Sequence, residues 1–261
     1  MQKGETMREM ERLVRVMARL RGPGGCPWDA AQTHKSMIKG LIEEAYELAD
    51  AIENDDAEEM MEELGDVLLQ VVFHSIIAAE KGLFSLDEVA GALADKLIYR
   101  HPHVFGDKSA ADADEVIVNW EKLKRKENGK EHRVSIFSGI PETLPALLYA
   151  LKVQSAASRV GFDWDSPEGV IAKIKEEIDE LSEAADKHAV DDIEDEIGDM
   201  IFTVVNLARM HKVDPEAALR RTNKKFAARF AEIEKAARNQ NIHVSEMPMA
   251  EKERIWQGAK R

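Results

Sequence analysis

The sequence is short of the residues that usually announce a mechanism. Its 261 residues include a single cysteine, Cys26, so no intrachain disulfide can form, and that usage suits a reducing compartment. No stretch approaches 18 consecutive apolar residues, which excludes a membrane-spanning helix. The N-terminal MQKGETMREMERLV is charged and lacks the apolar run of a signal peptide. These absences give the expectation of a cytoplasmic protein. No GxxxxGK[ST] loop occurs, so the chain is not a P-loop NTPase. Cys26 beside Pro27 reads as structural rather than nucleophilic. His101 and His103 flank Pro102, a weak pattern for a metal site. No basic stripe of the kind that coats DNA is present, so direct nucleic-acid binding is not expected.

What the chain has is acid, and it is concentrated. Residues 43–66 read EEAYELADAIENDDAEEMMEELGD and residues 176–199 read EEIDELSEAADKHAVDDIEDEIGD. Each window holds 12 carboxylates, and together they hold one base, Lys187. The windows therefore carry −23 of the net −14, and the remaining chain carries +9. Localised acid inside mildly basic surroundings favours a cation site that serves a phosphorylated ligand.

Almost every segment has helical periodicity. ETMREMERLVRVMARL (5–20) spaces Met7, Met10, Leu13, Val14, Met17 and Leu20 along one stripe. RGPGGCPWD (21–29) reads as a loop. Helices are expected over Ala31–Ile52, Ala57–Ala79, Asp114–Glu127, Pro145–Arg159, and about 167–187, 190–212 and 215–239. Ser85 with Glu88 forms a capping box that starts another, and Ser166-Pro167 and Asp214-Pro215 read as N-cap and first helical residue. No alternating strand pattern occurs. The polar, Gly- and Pro-broken stretch at 127–145 separates helical domains 1–130 and 145–261, with the linker at 131–144. The fold class is all-α, two tandem helical bundles.

The halves repeat one another. Each runs Trp (Trp28, Trp164), EExxE, ExGD, and then Lys-x-x-x-Arg (Lys96/Arg100, Lys225/Arg229), an ordering that internal duplication explains. Glu44 and Glu47 share a helix face, as do Glu177 and Glu180; Glu63 and Asp66, and Glu196 and Asp199, do the same on the next helix. Antiparallel packing would bring four carboxylates together in each half.

A solvated acidic face is the ordinary alternative, and three features strain it. Residues 43–66 contain no Lys or Arg to offset like-charge repulsion of roughly 0.2–0.5 kcal/mol per pair. Glu63 and Asp66 immediately precede VLLQVVF, and Glu196 and Asp199 precede MIFTVV, so partial burial is expected. Gly65 and Gly198 sit inside helices at a cost of about 1 kcal/mol against Ala, which close helix or ligand approach would justify. A hard divalent cation answers all three. Oxygen-only ligands select Mg²⁺, with Mn²⁺ also fitting, over Zn²⁺. No histidine has a glutamate three residues before it, so the di-iron motif is missing. The Lys–Arg pairs, one turn apart, can clamp phosphate oxygens or be ordinary surface cations. Trp28 and Trp164 can stack on a nucleobase or belong to the core.

The segments CPWD (26–29), LIEEAYEL (41–48), EELGDVLLQVVFH (62–74), RHPHVFGD (100–107), VGFDW (160–164), EEIDEL (176–181), DEIGD (195–199) and KKFAARF (224–230) resemble the tandem-domain MazG proteins, all-α nucleoside triphosphate pyrophosphohydrolases. The resemblance covers nearly the whole chain. It implies hydrolysis of NTP or dNTP between the α and β phosphates, giving NMP and pyrophosphate, in nucleotide-pool housecleaning or stress response. It implies Mg²⁺ held by Glu177, Glu180, Glu196 and Asp199, with Glu176 as accessory ligand or water-orienting base, and Lys225 and Arg229 on the triphosphate. In the first half these roles fall to Glu44, Glu47, Glu63 and Asp66, with Glu43, Lys96 and Arg100. Family members often carry two basic residues before HPHVF; here Tyr99 replaces the first, which weakens that clamp and favours the C-terminal half as the main active one. A homodimer is also implied. A nucleotide-binding regulator without catalysis, or a hydrolase of another phosphorylated nucleotide, are the competing readings.

Overall fold

The structure is a computed structural model that describes residues 3–112, 115–116, 119–120, 123–124 and 135–260. The chain divides into two compact units, Met1–Glu131 and His132–Arg261. Among the described residues there is no strand. The expected helix at Asp114–Glu127 falls largely outside the described residues, as do 131–134 of the expected linker; residues 135–145 form turns.

The first unit contains α1 (Lys3–Arg21), α2 (Pro27–Ala31), α3 (Ile38–Glu53), α4 (Ala57–Glu80), α5 (Leu86–Arg100) and α6 (Pro102–Phe105). A three-residue connection, Asn54–Asp56, folds α4 back along α3 as an antiparallel pair. The turn is closed by Asp55 in the left-handed region (φ 54°) and by a bond from Asp56 N–H to the Ala51 carbonyl at 3.1 Å, a Schellman-type end. Asp56 then caps α4, its carboxylate accepting from the N–H groups of Glu58 and Glu59. The apolar stripe of α1 lies on the second half of α4. Met17, Met37, Val72, Phe73 and Ile77 form the buried core there, flanked by Leu13, Val14, Leu20, Leu68, Leu69, Ile76 and Leu86. Ser85 and Glu88 make the expected capping box at the start of α5.

The second unit contains α7 (Ala146–Ser158), α8 (Pro167–Asp186), α9 (Val190–Met210), α10 (Pro215–Asn239), a 3₁₀ turn (Val244–Glu246) and α11 (Met249–Gly258). The α8–α9 pair repeats α3–α4 in a register offset by 133 residues. His188 (φ 52°) stands where Asp55 stands, and Ala189 N–H reaches the Ala184 carbonyl at 3.3 Å. The start of α9 lacks a side-chain cap, because Ala189 occupies the place of Asp56. Val170 and Val205 are fully buried. Gln154 of α7 donates to the Phe202 carbonyl of α9 at 2.7 Å, which ties α7 onto the pair. Ile233, Ala237 and Met247 form a second core, with Phe230 and Trp256 against it.

Two sequence expectations are corrected. The helix expected over Ala31–Ile52 begins only at Ile38. Thr33 and Ser36 form side-chain turns with each other's backbone (Thr33 N–H to Ser36 Oγ 2.9 Å, Ser36 N–H to Thr33 Oγ1 3.1 Å), and such bonds compete with helix. The loop expected at 21–29 instead holds the last residue of α1 and the first turn of α2, which opens with Pro27 at its first position.

Candidate metal centres

Each antiparallel pair presents its carboxylates across the helix–helix seam. In the first unit, one ligand oxygen each from Glu44 of α3 and Glu63 and Asp66 of α4 lie within 4.8 Å of one another. In the second, Glu177 of α8 and Glu196 and Asp199 of α9 do the same. In each half three of the four carboxylates expected to converge do so. The fourth residues, Glu47 and Glu180, are exposed and stand beside the triads rather than inside them. The charge of Glu47 acts on Glu44, and that of Glu180 on Glu196.

Crowded acid in partly dry surroundings resists ionisation. Burial pushes the Glu44 carboxyl above its ordinary value, and the charges of Asp66 and Glu47 push it further. Burial likewise raises Glu63, with Glu47 and Asp66 adding to the effect. Glu196 is raised by burial and then by Glu180 and Glu177. Glu63 also keeps its Oε2 buried with no hydrogen-bond partner. Those are the conditions a divalent cation relieves.

The two centres differ in one cation. Lys173 of α8 places Nζ 2.7 Å from Glu176 Oε1, 3.0 Å from Glu177 Oε1 and 3.9 Å from Glu180 Oε2. Its hydrogen bonds to Glu176 and Glu177 hold the ammonium well above its ordinary pKa. Glu177 is 2% exposed and is the most buried acid of either cluster. Sequence reasoning missed Lys173 because it lies just outside the acidic window, although three and four residues before Glu176 and Glu177 is the spacing of helical ion pairs. In the first unit, Lys39 reaches Glu43 at 3.1 Å in an exposed pair.

Three expectations change. Asp199, expected to be partly buried, is exposed, whereas Glu196, Glu63 and Asp66 are half-buried as expected. Gly65 and Gly198 are not required by close packing within the chain, since a Cβ at either would meet nothing within 4 Å. Gly198→Ala is accordingly expected to raise the stability of the isolated protein by about 1 kcal/mol, read from the urea midpoint. A loss of stability would mean that some other body packs against that face. Arg100, expected as a phosphate clamp, is only 8% exposed, and its guanidinium lies 5.5 Å over the Trp120 ring.

The second Lys–Arg pair is open by comparison. Lys225 is exposed and Arg229 half-exposed on α10, with the Arg229 guanidinium 5.7 Å over the Trp256 ring. Phe226 packs on Trp256 at 5.1 Å between ring centroids, and these rings with Phe230, Ile233 and Met249 line a cavity of about 270 Å³. This aromatic cleft was not foreseen, because neither α11 nor Trp256 carried a recognisable signal. Lys96 is exposed. Trp28 and Trp164 are 63% and 42% exposed, so neither is a core residue; a Cβ on Gly169 would stand 2.8 Å from the Trp164 ring, which that glycine accommodates. Glu43 and Glu176 sit exposed beside their clusters, held by Lys39 and Lys173. Cys26 is a half-buried free thiol.

A duplicated antiparallel helix pair with one carboxylate triad per copy defines an all-α tandem protein with acidic centres. The chain belongs to the MazG nucleotide pyrophosphohydrolase domain family, which matches residues 32–105 and 165–233, that is, both helix pairs with their acids. It is similar to the nucleoside triphosphate pyrophosphohydrolase/pyrophosphatase MazG of Thermotoga maritima, 46% identical over 250 residues, covering 96% of this chain and 95% of that one. It is also similar to the nucleoside triphosphate pyrophosphohydrolase of Escherichia coli K12, 41% identical over 258 residues and 98% of each chain. The uncharacterized YabN of Bacillus subtilis is 42% identical over 249 residues, which are 94% of this chain and 50% of that protein.

Proposed function

We propose that the protein is a Mg²⁺-dependent nucleoside triphosphate pyrophosphohydrolase that cleaves NTP or dNTP between the α and β phosphates, releasing NMP and pyrophosphate. The observation that carries the reading is the pair of triads, Glu44/Glu63/Asp66 and Glu177/Glu196/Asp199, set in the same register on a chain of this family. The residues suit the metal. All donors are carboxylate oxygens, which favours Mg²⁺, with Mn²⁺ as the nearest substitute, and their raised pKa values mark uncompensated charge. Glu47 and Glu180 complete the sets from the rim.

Mg²⁺ held by Glu44, Glu63 and Asp66, or by Glu177, Glu196 and Asp199, would supply charge neutralisation at the triphosphate and acidify the attacking water. The protein's own groups do the rest. Glu176, and Glu43 in the first unit, are placed beside the clusters to orient water or take its proton. Lys225 and Arg229 meet the phosphates, and Trp256 keeps the Arg229 fork in a fixed plane. The aromatic cleft next to Arg229 suits a base, and the exposed Trp164 and Trp28 faces are further stacking surfaces. No covalent intermediate is needed. The openness of Lys225 and Arg229, against the burial of Arg100, supports the second unit as the main catalytic one.

Exposed apolar side chains along the helix pairs, among them Tyr46 and Leu64 in the first unit and Ile178, Ile197 and Phe202 in the second, support a homodimer. Single-cysteine usage, together with described helices too short or too polar to cross a membrane, supports a cytoplasmic enzyme of nucleotide-pool housecleaning. The decisive experiment incubates the protein with Mg²⁺ and each common NTP and dNTP, and follows pyrophosphate separately from orthophosphate. Equimolar NMP and pyrophosphate are expected. Orthophosphate alone, or no turnover on any of them, removes the reading.

A further inference from the structure

The two clusters share a register but not a charge environment. At the edge of the second, Lys173 reaches three carboxylates, Glu176, Glu177 and Glu180, of which Glu177 belongs to the triad. The position 133 residues earlier is Gly40, which has no side chain, and Lys39 beside it reaches outward to Glu43 with its ammonium largely in solvent. Among the described residues, the first cluster therefore holds three half-buried acids with no ammonium ion-paired to them, and one oxygen, Glu63 Oε2, buried without a hydrogen-bond partner. Among the described residues, a cation entering the first cluster meets only negative charge. A cation entering the second must pull Glu177 away from an ammonium 3.0 Å distant, or tolerate that like charge at close range.

We infer that Lys173 is a tethered counter-cation which weakens the intrinsic divalent-cation affinity of the second cluster through Glu177, so that without nucleotide the second unit, although it carries the chemistry, loads a cation more weakly than the first. The inference rests on the metal-binding reading above and goes beyond it by ranking the two sites and assigning the cause to one residue. Gly40 is the corresponding deletion in the first unit. A Cβ there would stand 3.2 Å from Nε2 of the buried Gln70, so a lysine can be introduced where that amide gives by a few tenths of an ångström.

The test is a Mn²⁺ titration of the full chain without nucleotide, with free Mn²⁺ read by electron paramagnetic resonance. Glu44→Gln with Glu63→Gln leaves the second cluster alone, and Glu196→Gln with Asp199→Asn leaves the first. The first cluster is expected to bind about tenfold more tightly, one unit charge at this range being worth about that much at a partly exposed site. In the background that leaves only the second cluster, Lys173→Met is expected to tighten binding about tenfold and Lys173→Arg to leave it unchanged. Gly40→Lys is expected to weaken the first cluster by a similar factor. Far-UV melting curves establish that each variant is folded. Equal affinities with a silent Lys173→Met overturn the inference, as does a Lys173→Arg that behaves like Lys173→Met, since packing rather than charge would then be responsible. Absence of Mn²⁺ binding throughout overturns the metal reading itself and the inference with it, a result distinct from two equal sites.

Discussion

Glu177→Gln is expected to lower pyrophosphate release by roughly 10²–10³-fold, the loss seen when one preorganised electrostatic partner is removed from a reacting centre. Glu177 is the pivot of the second cluster. It is 2% exposed, it meets Glu196 and Asp199 across the seam, and Lys173 fixes its Oε1. Glutamine keeps the shape but takes away one full charge and one anionic ligand oxygen. Lys173 retains Glu176 at 2.7 Å, so the ammonium is not stranded and the fold should survive. The matched change in the first unit, Glu44→Gln, is expected to cost less than about tenfold if the second unit carries the chemistry, because Arg100 there is withdrawn under Trp120. Steady-state kinetics on one NTP, with melting curves as the control for folding, separates these. A Glu177→Gln enzyme with near-normal turnover, or a larger loss from Glu44→Gln, would reverse the assignment of the active half.

How much of this could be read from the sequence differs from element to element. α10 appears where expected, over Pro215–Asn239, because Asp214 and Pro215 punctuate its start. The register of the two triads was legible because three- and four-residue spacing fixes a helix face whatever the partner is. The break at 32–37 was not legible, since no Gly or Pro marks it and the work is done by Thr33 and Ser36 side chains. Asp199 was placed too deep because an apolar run after it says nothing of which face the acid takes. Lys173 was within reach of the spacing argument but outside the window drawn around the acids. Trp256 and Arg100 were beyond it: their roles depend on which helix packs beside them, and that information is tertiary.

Arg21 is the clearest case of a residue hidden in an apparent loop, and its replacement should have the largest effect on stability. Its guanidinium makes a forked pair with Glu80 at the end of α4, Nε to Oε1 at 2.8 Å and Nη2 to Oε2 at 2.7 Å. Nη1 donates to the carbonyls of Asp29 and Gln32 at 2.5 and 3.3 Å, and the plane lies 5.1 Å over Phe73. One side chain thereby joins the ends of α1, α2 and α4 around the core. The Arg21 side chain is 5% exposed and that of Glu80 is 42% exposed, so water moderates the pair from one side only. Arg21→Met should destabilise the first unit by about 3 kcal/mol, the low end for breaking a buried pair, because Glu80 can turn to solvent. The pH dependence provides the check. The hydrogen bond and charge of Arg21 hold the Glu80 carboxyl below its ordinary value. A depressed folded-state pKa stabilises above the unfolded value and loses that contribution as pH falls through the folded one. The gap between wild type and Arg21→Met in urea unfolding should therefore be full at pH 7 and narrow below the ordinary glutamate pKa of 4.5. A gap that stays constant down to pH 3 would assign the loss to the carbonyl bonds and the Phe73 contact instead of the ion pair.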